Sequence, residues 1–322
     1  MKRRDALALP LASMMLGALP AYAQQWPSRP TTLIYPFGAG AGDVVARAMA
    51  AALEADFGTP VVVDAKPGAG GAIGGASVAR ARPDGYTLGY ALSYNVAGMQ
   101  HLVKNMPYDP MSAFEPVAWI GDFPWFLYVR KEVPATSVKE LIAYAKSQPP
   151  EKLNMAMASQ AAQILTAHLE RDGGIKFTKV PYKTDPDTTN DVMGGRIDVF
   201  WATGQWMEHV TSGRLRAIAV STTQRSAAAP DVPTLTEAGL QPSPVQVSIY
   251  VAAPTGTPKP IIERVNKVLN NAKGTRDDFK KAATFMRVVV APNVTPDEVR
   301  ARWMSEGAKW KEATEMAGIE KM

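Results

Sequence analysis

The chain has 322 residues, no cysteine, and 35 basic against 30 acidic residues, for a formal net charge of +5. Without cysteine, disulfides and thiolate chemistry are excluded, and a chain of this length can bury a sufficient core without them. The basic residues are scattered, which argues against a nucleic-acid stripe, and the small positive excess is only weakly suited to an anionic ligand.

Lys2, Arg3 and Arg4 precede an uncharged apolar run over residues 6–19, and Ala21-Tyr22-Ala23 then supplies small residues at cleavage-site spacing. This order predicts a secretory signal peptide over residues 1–23 and a mature chain from Gln24. A membrane anchor is the competing reading, but the run falls short of the roughly 20 residues a span needs. No Cys follows it, so a lipoprotein anchor is excluded, while Arg3-Arg4 leaves the general and twin-arginine export routes open. No later segment is long and apolar enough to span a bilayer, so the mature chain is expected to be soluble.

Residues 31–35 read as a buried strand, and the turn from Pro36 to Gly42 leads to a helix over 44–57 with Asp43 as its N-cap. A strand at 61–63, a second glycine-rich turn over 68–75, a helix to about Arg80 and a strand at 87–91 follow. After a helix at 137–147, opened by Thr136 or Ser137, come strand 152–156, helix 161–171, strand 177–181, helix 188–193 and strands 197–201 and 215–221. Helices at 259–272, 277–284 and 296–316, with a strand at 287–291, complete the pattern. Strands alternating with helices predict an α/β fold of largely parallel sheets, with ligands bound where loops meet helix N-termini. Residues 129–134 and 250–258 are read as two crossings between domains. This gives a discontinuous first domain (24–130 plus 253–322) and an inserted second one (131–252), joined by a hinge.

Catalytic chemistry is sparse. His101, His168 and His209 lack metal-ligand spacing and read as surface or packing residues, so no metal or other cofactor is expected. There is no Gly-x-Ser-x-Gly elbow and no P-loop lysine. Gly68-Ala69-Gly70-Gly71-Ala72-Ile73-Gly74 resembles a dinucleotide turn, but its third glycine is one position late. Such turns also serve tight helix–strand packing. What remains is the geometry of Phe37-Gly38-Ala39-Gly40-Ala41-Gly42, whose backbone N–H groups and following helix start suit a carboxylate. A plain tight turn fits that spacing equally well.

Ordered blocks along residues 26–318 resemble the Bug family, the extracytoplasmic binding components of tripartite tricarboxylate transporters. They include Trp26-Pro27-Ser28-Arg29-Pro30, Pro67-Gly68-Ala69-Gly70-Gly71, Pro83-Asp84-Gly85-Tyr86-Thr87-Leu88, Gly194-Gly195-Arg196-Ile197-Asp198 and Ala253-Pro254-Thr255-Gly256-Thr257-Pro258. The resemblance implies a two-domain clamshell of the periplasmic binding protein type II. It also implies a ligand carboxylate held by one loop from each domain through backbone N–H groups and water. The first loop maps onto Phe37 to Asp43 and the second onto Ser159, Gln160 and Ala161. Trp201 and Thr203 form a third region, and Tyr94 and Asn95 complete the candidate contacts.

The first loop is one residue shorter than the family pattern. Ala156-Met157-Ala158-Ser159-Gln160-Ala161 stands where Ser-Ala-Gly-x-Gly-Ser is usual, and Thr184 and Asp185 replace a glycine and a serine. Tyr94, Phe123, Trp125, Trp201 and Trp206 could stack on a ring or serve the core. The expected activity is capture of a small mono- or dicarboxylate, an aromatic one included, by a monomer that feeds membrane transporter subunits. A ligand-presenting partner of a membrane sensor and an exported hydrolase are the alternatives.

Overall fold

The computed structural model describes residues 26–38, 41–182, 188–227, 229–319 and 321. The expected signal peptide, Ala39, Gly40, Thr184 and Asp185 lie outside the described residues.

In chain order the elements are β1 (Thr31–Tyr35), α1 (Ala41–Phe57), β2 (Val61–Ala65), α2 (Ala72–Ala79), β3 (Thr87–Leu92), a π-helical turn (Tyr94–Gly98) and α3 (Met99–Leu102). Then come β4 (Phe114–Phe123), β5 (Phe126–Arg130), α4 (Val138–Ser147), β6 (Asn154–Met157), α5 (Gln160–Gly173), β7 (Thr178–Pro181), α6 (Thr189–Met193), β8 (Val199–Ala202), α7 (Met207–Thr211) and β9 (Leu215–Val220). The chain ends with β10 (Val247–Pro254), α8 (Lys259–Thr275), α9 (Asp277–Met286), β11 (Val289–Val290) and α10 (Pro296–Met316).

Two sheets result, ordered β11-β4-β10-β3-β1-β2 and β7-β6-β8-β5-β9, each flanked by helices. The expected α/β clamshell architecture is present, but neither sheet is largely parallel. Between the named strands, parallel pairing is confined to β1 with β2 and β3, and to β6 with β7 and β8. The strands around the passages between sheets, β4, β5 and β10, pair antiparallel with their neighbours.

Those passages also fall earlier than the sequence suggests. Val129 completes β5 and Tyr250 lies inside β10, so the chain changes sheets at residues 124–125 and returns within 221–246. The physical reason is burial on both faces. In β5, Leu127 and Val129 enter the main core while Phe126 and Tyr128 enter a second cluster with Phe200 and Trp206. Every residue of β10 is buried. Strands covered on both sides lose the alternation that marks a half-exposed strand.

Other local departures have equally local causes. Arg287 takes a left-handed conformation (φ 55°) at the C-cap of α9, which shortens the expected strand over 287–291 to two residues. Ser137 caps α4 as expected, accepting from the Glu140 N–H at 3.2 Å. Asp43 is not an N-cap: α1 starts at Ala41, which places Asp43 in its first turn, where it pairs with Arg47 at 2.8 Å. A carboxylate in the first turn complements the helix dipole.

The second glycine turn owes part of its composition to packing. A Cβ on Gly74 would lie 2.7 Å from the Cα of Pro36 and 3.0 Å from the Lys66 carbonyl oxygen, both backbone atoms that cannot step aside. Gly74→Ala should therefore lower stability by ~1–3 kcal/mol through overpacking. Urea unfolding of the variant checks this, and an unchanged midpoint would show that α2 can slide away from β1.

Candidate functional site

Strand β1 delivers Tyr35, Pro36 and Phe37 to the edge of the first lobe. Phe37 is half-buried among aromatic rings, with centroids 5.5 Å from Tyr35, 6.4 Å from Tyr90 and 6.0 Å from Tyr94. Burial and the Asp43 carboxylate hold the Tyr35 hydroxyl well above the usual phenol range. A Cβ on Gly42 would meet that hydroxyl at 2.6 Å, so the glycine makes room for it. Gly38 is exposed; of Ala41, only its place at the start of α1 is described.

The turn at Ala69–Gly71 approaches this wall. Gly70 and Gly71 have φ of 63° and 100°, the left-handed region that glycine enters without strain. A Cβ on Gly71 would stand 3.3 Å from Asn95 Nδ2 and 3.4 Å from Phe37 Cε1. One on Gly70 would stand 3.3 Å from Met99 Sδ and 3.7 Å from Gln160 Nε2. Gln160 opens α5 in the second lobe, so both lobes meet over this turn.

Asn95 is 1% exposed and sits in the π-helical turn, a geometry frequent at functional sites. Its Oδ1 accepts from the Leu92 N–H at 2.6 Å, which fixes the amide's orientation. Nδ2 then faces Gly71, and among the described residues it donates to no acceptor. In the second lobe, Ser159 caps α5 by accepting from the Ala162 N–H at 3.1 Å. The N–H groups of Gln160 and Ala161 are left at the helix start, where the dipole is positive. The donors gathered here are neutral: a carboxamide from each lobe and a helix N-terminus.

The structure thus brings Phe37, Asn95 and Gln160 together, with Ser159 and Ala161 flanking Gln160. Tyr94 is half-buried between Phe37 and Trp310, at centroid distances of 6.0 and 6.4 Å. Trp201, 1% exposed, belongs to the main core, and the buried Thr203 gives its carbonyl to the Tyr128 hydroxyl at 2.9 Å. Neither is among the nearest atoms to Gly70 or Gly71. Phe123, Trp125 and Trp206 are likewise buried in cores. Gly70, Gly71 and Met99 are residues that sequence reasoning missed. The signal was the glycine run, weighed only as a nucleotide turn or as packing.

No cluster of three or more potential metal ligands occurs among the described residues. His168 is buried, with Nε2 3.0 Å from the Gln241 carbonyl oxygen and Nδ1 3.1 Å from an Arg171 nitrogen, a packing role. No described helix is long and apolar enough to cross a membrane.

Comparison with known proteins agrees with this architecture. A sequence model described as the tripartite tricarboxylate transporter family receptor matches residues 45–294. The protein BugT of Bordetella pertussis is 34% identical over 304 residues, covering 91% of this chain and 90% of its own. The solved periplasmic binding protein BugD superposes with a TM-score of 0.79 at 31% identity, over 92% of this chain and all of that one. An R. palustris protein solved with adipate gives 0.82 at 29% identity over 92% of this chain and 100% of its own. MatC from Rhodopseudomonas palustris, solved with malate, gives 0.76 at 27% identity over 89% and 99%. With the family match spanning most of its length and relatives above 30% identity along nearly all of it, the chain belongs to the tripartite tricarboxylate transporter receptor family, the Bug solute-binding proteins.

Proposed function

We propose that this protein is exported, captures a small mono- or dicarboxylate between its two lobes by hinge closure, and delivers it to a tripartite tricarboxylate-type transporter. The observation that carries this reading is the buried Asn95 amide, whose free Nδ2 faces the Gly70–Gly71 turn opposite Gln160. A carboxylate placed there takes N–H donors from both lobes, so its binding free energy favours the closed form. Each hydrogen bond to a charged acceptor contributes about 1.5–3 kcal/mol, and three or four of them reach micromolar affinity after ordering costs. The solved relatives with adipate and malate support the ligand class.

The loop over Gly38, Ala39, Gly40, Ala41 and Gly42, together with Trp201 and Thr203, belongs to the proposed contact set. The lobes act as binding domains without catalysis, the protein works as a monomer, and the signal peptide over residues 1–23 is removed. N-terminal sequencing of protein recovered from the periplasm should read from Gln24. An intact Met1 in that fraction would argue for an anchored form.

A thermal-shift screen of C4–C6 aliphatic and aromatic carboxylates should show concentration-dependent stabilisation by at least one compound, since a ligand that binds only the native state must raise its stability. Stabilisation by none of them would overturn the carboxylate reading. Asn95→Asp keeps the acceptor for the Leu92 N–H but replaces the free donor with negative charge. Its affinity for the compound found should fall at least about tenfold by calorimetry, a loss of 1.4 kcal/mol or more. Unchanged affinity would remove Asn95 from the site.

A further inference from the structure

A cluster of charges sits where both passages between the lobes enter the first sheet. Asp122 is near the end of β4, two residues before the outbound passage, and its register partner Ser248 is the second residue of β10 after the return. Helix α10 adds Arg302 and Glu306. Ser248 Oγ lies 2.8 Å from Asp122 Oδ1, 2.8 Å from Glu306 Oε1 and 3.0 Å from an Arg302 nitrogen. The same Arg302 nitrogen reaches Asp122 at 3.0 Å, and Arg302 Nε reaches Tyr250 Oη at 3.1 Å.

The proton count at Ser248 is decisive. A hydroxyl donates one proton and accepts two. Arg302 fills one acceptor position, and the single hydroxyl proton serves only one carboxyl group. The other carboxyl, 2.8 Å from the same oxygen, must bring its own proton. Both touch Arg302, Asp122 at 3.0 Å and Glu306 at 3.2 Å, but Asp122 is the more exposed, with 16% of its side chain accessible against 7% for Glu306. Glu306 Oε2 is buried with no partner among the described residues, which a neutral acid bears at lower cost than a carboxylate.

The cluster connects to the passages through a chain of hydrogen bonds. The Ser248 N–H donates to Ser93 Oγ at 3.0 Å, and Ser93 donates to the Gln246 carbonyl at 2.8 Å. Gln246 Nε2 donates to the Ser221 carbonyl at 2.8 Å, and Ser221 Oγ accepts from the Trp125 N–H at 3.1 Å. Ser221 and Gln246 flank the return passage, and Trp125 belongs to the outbound one. Ser93 directly precedes the turn that carries Asn95.

We propose that the hinge is proton-linked: Glu306 as a neutral acid holds Asp122 and Ser248 together at the root of both passages and favours closure, and its ionisation favours opening. This rests on the hinge-closure reading above. When Glu306 releases its proton to solvent, Ser248 keeps one proton for two carboxylates, so one of the two 2.8 Å contacts must break. Burial pushes the Glu306 carboxyl up to about 7, against the pull of Arg302, and raises Asp122 as well. The closed population therefore falls as pH rises through about 7.

Among the described residues, the other charged or titratable groups on elements packed against α10 include Glu115 on β4, paired with Arg300, and His168, Glu170 and Asp172 on α5, each with its own partner. Tyr250 on β10 is held protonated by burial and by Glu306, and Tyr94 lies on the π-helical turn. Lys273 on α8 is tied to the Trp119 carbonyl, and Arg171 on α5 reaches Met316 at the far end. His101 on α3 hydrogen-bonds the Gly307 backbone, and burial and nearby lysines lower its pKa. It is the group to be distinguished from Glu306.

Because the chain has no cysteine, Lys139→Cys on α4 and Lys267→Cys on α8 give one spin label per lobe. Interlabel distances are measured without ligand from pH 5.5 to 8.5. A shift between two populations with a midpoint near pH 7 is expected. Glu306→Gln should hold the low-pH distribution throughout, and His101→Asn should leave the midpoint in place. Asp122→Asn, which removes the competing charge, should lower the midpoint by a pH unit or more. A distribution constant with pH, a transition that persists in Glu306→Gln, or one abolished by His101→Asn would overturn the proposal. If Glu306→Gln does not fold, an unmoved midpoint in Asp122→Asn overturns it. Adipate added at fixed pH separates the two readings: closure by adipate without any response to pH leaves ligand capture standing and removes the proton link.

Discussion

The antiparallel pairing of β4 with β10 joins the two halves of the molecule. Its register runs from Val247 opposite Phe123 to Pro254 opposite Phe114, interrupted by two irregularities. One strand carries the chain toward the second lobe and the other receives it back, so their common end fixes where both passages begin. The packing follows from that placement. The main core draws Leu33, Val117 and Ile249 from the first sheet and Leu127, Met155 and Trp201 from the second. Helix α10 seals the other face of the first sheet, with Trp303 against Tyr250 at a centroid distance of 5.2 Å.

Given that frame, the candidate site needs little specialised chemistry. Strand ends supply Phe37 and the π-helical turn, a left-handed glycine turn leaves space, and a capped helix from the other lobe closes on it. None of the side chains meeting at Gly70 and Gly71 carries a formal charge. The buried charges are used elsewhere, at Glu170 with Lys176 and Lys179, and at Glu306 with Arg302. In a low-dielectric interior an unpaired charge is costly, so these carboxyl groups sit against basic partners, whereas the buried Lys273 is held by the Trp119 and Pro292 carbonyl oxygens.

Much of the fold was legible in the sequence, for identifiable reasons. Strands β1, β3 and β9, and helices α4, α8 and α10, have apolar periodicity and end signals such as Ser137 and the capping box of Thr295 with Glu298. What escaped was whatever is buried on both sides or set by distant partners. Residues 114–123 carry no regular alternation, and Tyr250 reads as linker because β10 shows no polar face. Of the candidate site, Phe37 and Gln160 are legible through glycine spacing and the family resemblance. That Asn95 would have a free donor depends on the Leu92 N–H claiming its oxygen, and that Met99 would join depends on a π-helical register. Neither is a property of neighbouring letters. The aromatic residues split by environment: Trp125, Trp201 and Trp206 went to cores, while Phe37 and Tyr94 stayed half-buried.

The uncharged character of the donor set bears on how such a receptor lets go. A carboxylate bound by amide N–H groups and a helix start leaves no bare cation behind when it departs, and water can replace each donor's partner in turn. Affinity within a family of complexes is set mainly by the dissociation rate. In the proposed complex, dipoles in place of ion pairs would favour a shorter residence time. For the proposed delivery role, such stepwise exchange would trade tightness for turnover.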